Sequence, residues 1–114
     1  MTKEFELARD LHNKIPEGYQ RETLFKGNNV QKFWNIHKFI KIKPFLPKTG
    51  VILDIGCGSG SLGTLRKKLD LTHVQICGID LSLKQLIYAK KHQPEIFFVE
   101  ASGHQLPFKD NIFD

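Results

Sequence analysis

Cysteine is scarce in this chain: Cys57 and Cys77 are the only two in 114 residues. Two are too few for a disulfide framework, so a reducing compartment, the cytoplasm, is the expectation. No apolar run reaches the roughly 18 residues that a membrane-spanning helix needs. Residues Met1 to Asp10 alternate charge with apolarity and lack the apolar centre of a signal peptide. No repeat or low-complexity tract is visible. The five histidines, at 12, 37, 73, 92 and 104, show no i, i+4 or Cys-paired spacing, so a metal centre is not expected. Charge of one sign does not dominate: 17 Lys plus Arg against 12 Asp plus Glu leaves +5. That surplus is compatible with an anionic partner without requiring one. Secreted, membrane-embedded and disulfide-stapled classes drop out.

What is present fits one small domain, with 40% hydrophobic and 25% charged residues. Its character changes at Thr49-Gly50. Residues 1–49 read as a helical extension. Thr2 caps a first helix whose apolar positions are Phe5, Leu7, Ala8, Leu11 and Ile15, ending at Pro16. Residues 19–27 read as irregular after the turn signal Pro16-Glu17-Gly18. Asn28 or Asn29 caps the next helix, which puts Val30, Phe33, Trp34, His37 and Ile40 on one stripe. That stripe is expected to pack over the sheet, with a lid over a ligand site as the alternative. Lys43-Pro44 ends the helix.

Residues 50–114 alternate strand and helix. Val51–Ile55 is a short apolar run, as in a strand buried on both faces. The glycine-rich turn 56–60 leads into a helix read over Ser61–Leu69. A second strand, Val74–Ile79, ends at Asp80. Ser82 and Gln85 have the spacing of a capping box for a helix that Pro94 closes. Ile96–Val99 is a third strand. This order implies a parallel sheet with right-handed crossovers, an α/β Rossmann-like architecture.

The most informative stretch is Val51-Ile-Leu-Asp54-Ile-Gly56-Cys57-Gly58-Ser59-Gly60. Strand, glycines and helix in succession leave backbone N–H groups free, with no Cβ to block a close ligand. Gly58, Gly60 and Gly63 also match G-x-G-x-x-G, the weak dinucleotide signal. Asp54 weighs against a dinucleotide, because its carboxylate falls at the carboxyl end of the strand, where ligands bind. A phosphate chain would be repelled there and an ammonium attracted. The ligand indicated is a nucleoside carrying a cation.

The stretch resembles motif I of the class I S-adenosylmethionine-dependent methyltransferases. Gly78-Ile79-Asp80-Leu81-Ser82 is similar to the second motif of that family, in which the acidic residue accepts from both ribose hydroxyls. Leu106-Pro107-Phe108 through Phe113-Asp114 resembles the L-P-F-x-D-x-x-F-D segment of the small-molecule branch, the ubiquinone and menaquinone biosynthesis (methyltransferase type 11) type. The resemblance implies S-adenosylmethionine as cofactor, a small-molecule acceptor, and a cofactor site made of Asp54, Gly56, Cys57, Gly58, Ser59, Gly60, Asp80, Leu81, Ser102 and Gly103. Cys57 would contribute its backbone, and Leu81 and Ser102 would meet the adenine. The branch has Asp where this chain has Ser102, a weaker acceptor. Tyr19 and Arg21 are lid candidates, with Arg21 placed to meet the methionine carboxylate.

The family sheet has the order 3-2-1-4-5-7-6, so residues 50–114 supply strands 3-2-1 and stop before the fourth. The chain thus reads as the amino-terminal half of a methyltransferase, inactive alone and lacking an identifiable catalytic base. The edge of its first strand would invite aggregation or pairing into a dimer. Lys26, Lys32, Lys38, Lys41, Lys43 and Lys48, interleaved with Phe33, Trp34 and Phe39, read as a solvated face. An RNA-binding surface, and with it an RNA methyltransferase, is the alternative. A nicotinamide-dependent dehydrogenase and a non-catalytic interaction protein are the remaining rivals.

Overall fold

A computed structural model describes residues 2–114, without the side chains of Phe5, His12 and Gln20. Phe5, read as part of the first apolar face, therefore lies outside the described side chains. The element order is α1 (Lys3–Lys14), α2 (Tyr19–Lys26), α3 (Asn29–Ile42), a 3-10 turn (Lys43–Phe45), β1 (Gly50–Ile55), α4 (Ser61–Thr64), β2 (Val74–Asp80), α5 (Leu83–His92) and β3 (Phe97–Glu100). The sheet has the order β1-β2-β3 and both pairings are parallel. Asp54 pairs with Gly78 and Ile55 with Ile79, so Asp54 and Asp80 end at the same edge of the sheet.

Leu62, Leu69, Leu71, Ile76 and Ile96 form the buried core, with Phe39, Ile52 and Phe98 packed against it. A cavity of about 470 Å³ borders this core at Ile76 and Ile96, and Val51, Cys77 and Phe97 line it together with Phe108, Ile112 and Phe113 of the carboxyl-terminal segment. Among the described residues, the backbone of the free edge of β1 is hydrogen-bonded at its start. The Asp114 N–H donates to the Val51 carbonyl at 2.8 Å, and its carboxylate accepts from the Val51 N–H at 2.9 Å. Ile55, at the far end of that edge, is 56% exposed.

Several expectations need correction. Residues 19–26 are helical, although Gly18 precedes them. Gly18 has φ +70°, a left-handed conformation natural to glycine, and a Cβ there would run into the Tyr88 ring. The helix after the glycine turn stops at Thr64 and continues as turns to Asp70, whose φ is +56°. The stripe of α3 does not pack over the sheet: Val30, Phe33, Trp34 and Ile40 are all exposed, Trp34 by 63%. The opposite stripe, Asn35, Lys38, Phe39 and Ile42, carries the contacts. The Asn35 amide donates to Thr23 Oγ1 at 2.9 Å, and Phe39 reaches the core.

Polar contacts from α5 hold the helical extension on the sheet. Gln85 is buried; its Oε1 accepts from the Gly18 N–H at 3.0 Å, and its Nε2 donates to the carbonyls of Ile15 and Pro16. Thus Gln85 does not close a capping box. Ser82 caps α5 by accepting from the Gln85 N–H, while its hydroxyl donates to Asn13 Oδ1 at 2.7 Å. Tyr88 donates to Glu22 at 2.8 Å. Substituting Gln85→Ala orphans the Gly18 N–H, leaves the Pro16 carbonyl to the Tyr19 N–H and the Ile15 carbonyl to Lys84, and should destabilise the protein by about 1–3 kcal/mol. Hydrogen exchange should then quicken in α1 and α2 while β2 stays protected. Unchanged exchange in both helices would show that the latch lies elsewhere.

Candidate functional site

The carboxyl ends of β1 and β2 build the site because their chains turn there together. The N–H groups of Gly56 and Cys57 both donate to the Ile79 carbonyl, at 2.9 and 3.0 Å. This folds the glycine turn across the end of β2. The Asp80 carboxylate is buried and spans the gap: Oδ2 accepts from the Gly58 N–H at 2.9 Å and Oδ1 from the Ser82 N–H at 2.8 Å. One aspartate thereby fixes both the turn and the start of α5. A carboxylate has about four lone-pair positions, so each oxygen keeps room for one further donor.

Three cavities adjoin at Gly56. The first, about 300 Å³, is lined by Asp54, Cys57 and Gly56 from the sheet side and by Lys38, Phe39 and Ile42 of α3. The second, about 270 Å³, has Gly58, Asp80 and Gln85 on one side and Ile15, Tyr19, Thr23, Asn35 and Lys38 on the other. The third, about 140 Å³, is a largely apolar slot between Ile55, Leu81, Ala101 and Gly103, with Asp80 at its end. Gly56 has φ +73° and nothing within 4 Å of where a Cβ would stand, so the missing side chain leaves the junction open.

The electrostatics are uneven. Burial pushes the Asp54 carboxyl up to about 6, the nearby Asp80 charge adds to the rise, and Lys38 opposes it. The Cys57 thiol is pushed up by burial and then by the two aspartates, which keeps it protonated and un-nucleophilic. Among the described residues, Lys38 is the one Lys or Arg lining any of the three cavities. The arrangement can therefore hold an ammonium and hydroxyl groups beside a flat apolar slot.

Of the residues read from the sequence, Asp54, Gly56, Cys57, Gly58, Asp80, Leu81 and Gly103 line these cavities. Ser59, Gly60 and Ser102 do not. Ser59 is fully buried and its Oγ accepts from the Arg21 N–H at 3.1 Å, tying α2 to the turn. At Gly60 a Cβ would stand 2.6 Å from Gln93 Nε2, and one at Gly63 would strike Gln93 and Ile96. Both glycines serve packing. Ser102 Oγ accepts from the His104 N–H at 3.2 Å, within its own loop. Tyr19 lines the second cavity as a lid residue would, whereas the Arg21 guanidinium lies 5.7 Å over the Phe25 ring. Lys38, Asn35, Thr23 and Gln85 are the lining residues that reading the motifs missed. The i, i+3, i+4, i+7 spacing of Asn35, Lys38, Phe39 and Ile42 was the available signal.

The lysine-rich face is partly neutralised. Lys26 pairs with Glu22 at 2.9 Å, and Lys43 and Lys48 both meet Asp70 at 3.4 Å.

Known proteins resemble this chain in sequence and fold. A family model described as a methyltransferase domain matches residues 52–114. A 2-phytyl-1,4-naphtoquinone methyltransferase of Nostoc is 44% identical over 93% of this chain, which covers 48% of that protein. A demethylmenaquinone methyltransferase of Thermotoga maritima is 36% identical over 94% of this chain and 45% of its own length. The solved structure of a TehB-like SAM-dependent methyltransferase from Corynebacterium glutamicum superposes with a TM-score of 0.52 and 28% identity. It covers 76% of this chain and 50% of that one. The chain spans about half the length of the curated relatives it matches. By its matched residues, its parallel sheet and the glycine turn between two aspartates, this chain belongs to the methyltransferase domain family.

Proposed function

We propose that the chain is the cofactor-binding half of an enzyme that transfers a methyl group from S-adenosylmethionine to a small-molecule acceptor. The observation that carries this reading is the junction at Gly56, where three cavities meet between Asp54, Asp80 and an apolar slot. Asp54 takes the ammonium of the methionine end. The free positions of Asp80 accept from the ribose hydroxyls. Adenine lies in the slot against Leu81, Ala101 and Gly103, without Ser102. When bound, S-adenosylmethionine supplies an electrophilic methyl on a sulfonium, and transfer leaves a neutral thioether. The apolar lining by Phe39 and Ile42 favours that loss of charge over a water-filled cleft.

The quinones named for the Nostoc and Thermotoga relatives make a quinone-type compound the first acceptor to test. The helical extension, residues 1–49, acts as the cover of the cofactor end through Ile15, Tyr19, Thr23 and Asn35. A reducing, cytoplasmic setting suits the buried free thiols of Cys57 and Cys77. The edge of β1 beyond Val51 is the place for a further strand, from a longer chain or a second copy.

Calorimetric titration with S-adenosylhomocysteine, S-adenosylmethionine and NAD tests the cofactor assignment. The first two should bind and NAD should not. Binding of NAD with no response to S-adenosylhomocysteine would sink the methyltransferase reading of the site.

A further inference from the structure

Lys38 stands out once the charges around the site are paired off. Among the described residues it makes no ion pair and no hydrogen bond; its Nζ lies 5.0 Å over the neighbouring Phe39 ring. It lines both cavities on the α3 side of Gly56, one shared with Asp54 and the other with Asp80. Arg21, the residue whose chemistry suited an anionic ligand end, is turned onto Phe25 instead. A free α-amino acid presents an ammonium and a carboxylate on one carbon, so its binding site needs an anion and a cation a few ångströms apart. Asp54 and Lys38 are the pair that lines one cavity.

We propose that Lys38 is the carboxylate-binding residue of the site. With Asp54 it makes a charge pair that selects nucleosides bearing an intact amino-acid end over those bearing an amine alone. This rests on the cofactor reading above and adds to it the residue that reads the carboxylate. Because Lys38 sits on α3, the amino-acid end of the ligand is gripped between the helical extension and the sheet. Lysine suits the task as a mobile point charge, since no rigid bidentate partner is required.

The test compares S-adenosylhomocysteine with decarboxylated S-adenosylhomocysteine, which keeps the adenosine, the thioether and the ammonium but lacks the carboxylate. Calorimetry at pH 8 keeps Asp54 ionised in every variant. Wild-type protein should bind both, the decarboxylated ligand more weakly. Lys38→Gln should weaken S-adenosylhomocysteine roughly 5- to 20-fold, as expected for a part-exposed charge-assisted bond, and leave the decarboxylated ligand within about twofold. Lys38→Arg should recover most of the loss. Equal weakening of both ligands, or none of either, would overturn the assignment of Lys38 while leaving the cofactor reading standing. If wild-type protein binds neither ligand, the cofactor reading fails and the role of Lys38 with it. Lys38 is exposed and outside the core, so circular dichroism and melting should match wild type.

Discussion

Replacing Asp80 by alanine should lower stability and ligand affinity together, because the same two oxygens serve both. In the folded protein they accept from the Gly58 and Ser82 N–H groups at 2.9 and 2.8 Å. Bonds to a charged acceptor are each worth about 1.5–3 kcal/mol, and the orphaned donors lie beneath buried residues. The expected loss is about 2–4 kcal/mol, or more than 10 °C in Tm for a domain of this size. Ligand affinity should fall by more than tenfold, since the ribose loses its acceptor and the glycine turn loses its anchor. Asparagine is no gentle substitute. Its amide nitrogen must face either the Gly58 or the Ser82 N–H, donor against donor. Thermal unfolding and calorimetric titration of both variants give the answer. A normal melting curve for Asp80→Ala would mean that Ser82 alone suffices to start α5 and that the turn holds itself.

The strands and the glycine turn were legible in the sequence because each has a local cause. Val51–Leu53 is an apolar run that ends in Asp54 and Ile55, and it forms β1 although no residue of that strand is fully buried, while the turn needs the left-handed backbone that Gly56 adopts at φ +73°. The helical extension was harder to read for a physical reason. On α3 the salient apolar stripe, Val30 to Ile40, faces outward, while the stripe that touches the rest of the protein includes Asn35 and Lys38. A helix that borders a polar cavity over a carboxylate must put polar groups on its inner face, so hydrophobic periodicity points to the wrong side. The start of α2 depends on Gly18 being held by Gln85, 67 residues away, which no local pattern records. Ser59 shows the converse. It occupies a motif position and is fully buried, and its hydroxyl oxygen accepts from the Arg21 N–H, a partner 38 residues away.

Asp54 should make stability and binding respond to pH in opposite directions. Its carboxyl titrates at about 6 in the folded chain, first because it is buried, then because Asp80 is near, with Lys38 opposing. In the unfolded chain it titrates near its ordinary value of 3.8. Between those values the folded state holds more protons than the unfolded, so this group's contribution to stability is full below pH 3.8 and is lost as pH rises through 6. The span corresponds to about 2–3 kcal/mol. Other carboxylates, among them Glu22 and Asp70, are lowered by their lysine partners and slope the other way. The informative quantity is therefore the difference between wild type and Asp54→Asn. At pH 8 the asparagine variant should be the more stable unliganded protein, and by pH 4 the gap should close. Binding reverses the order. An ammonium-bearing ligand needs the ionised carboxylate, so wild-type affinity should drop roughly tenfold from pH 8 to pH 5. Protons should be released on binding near pH 6, readable as a buffer-dependent heat. Asp54→Asn should bind weakly at both pH values, with no such heat. A variant that gains no stability at pH 8 and keeps the wild-type pH profile would place the ammonium somewhere other than Asp54.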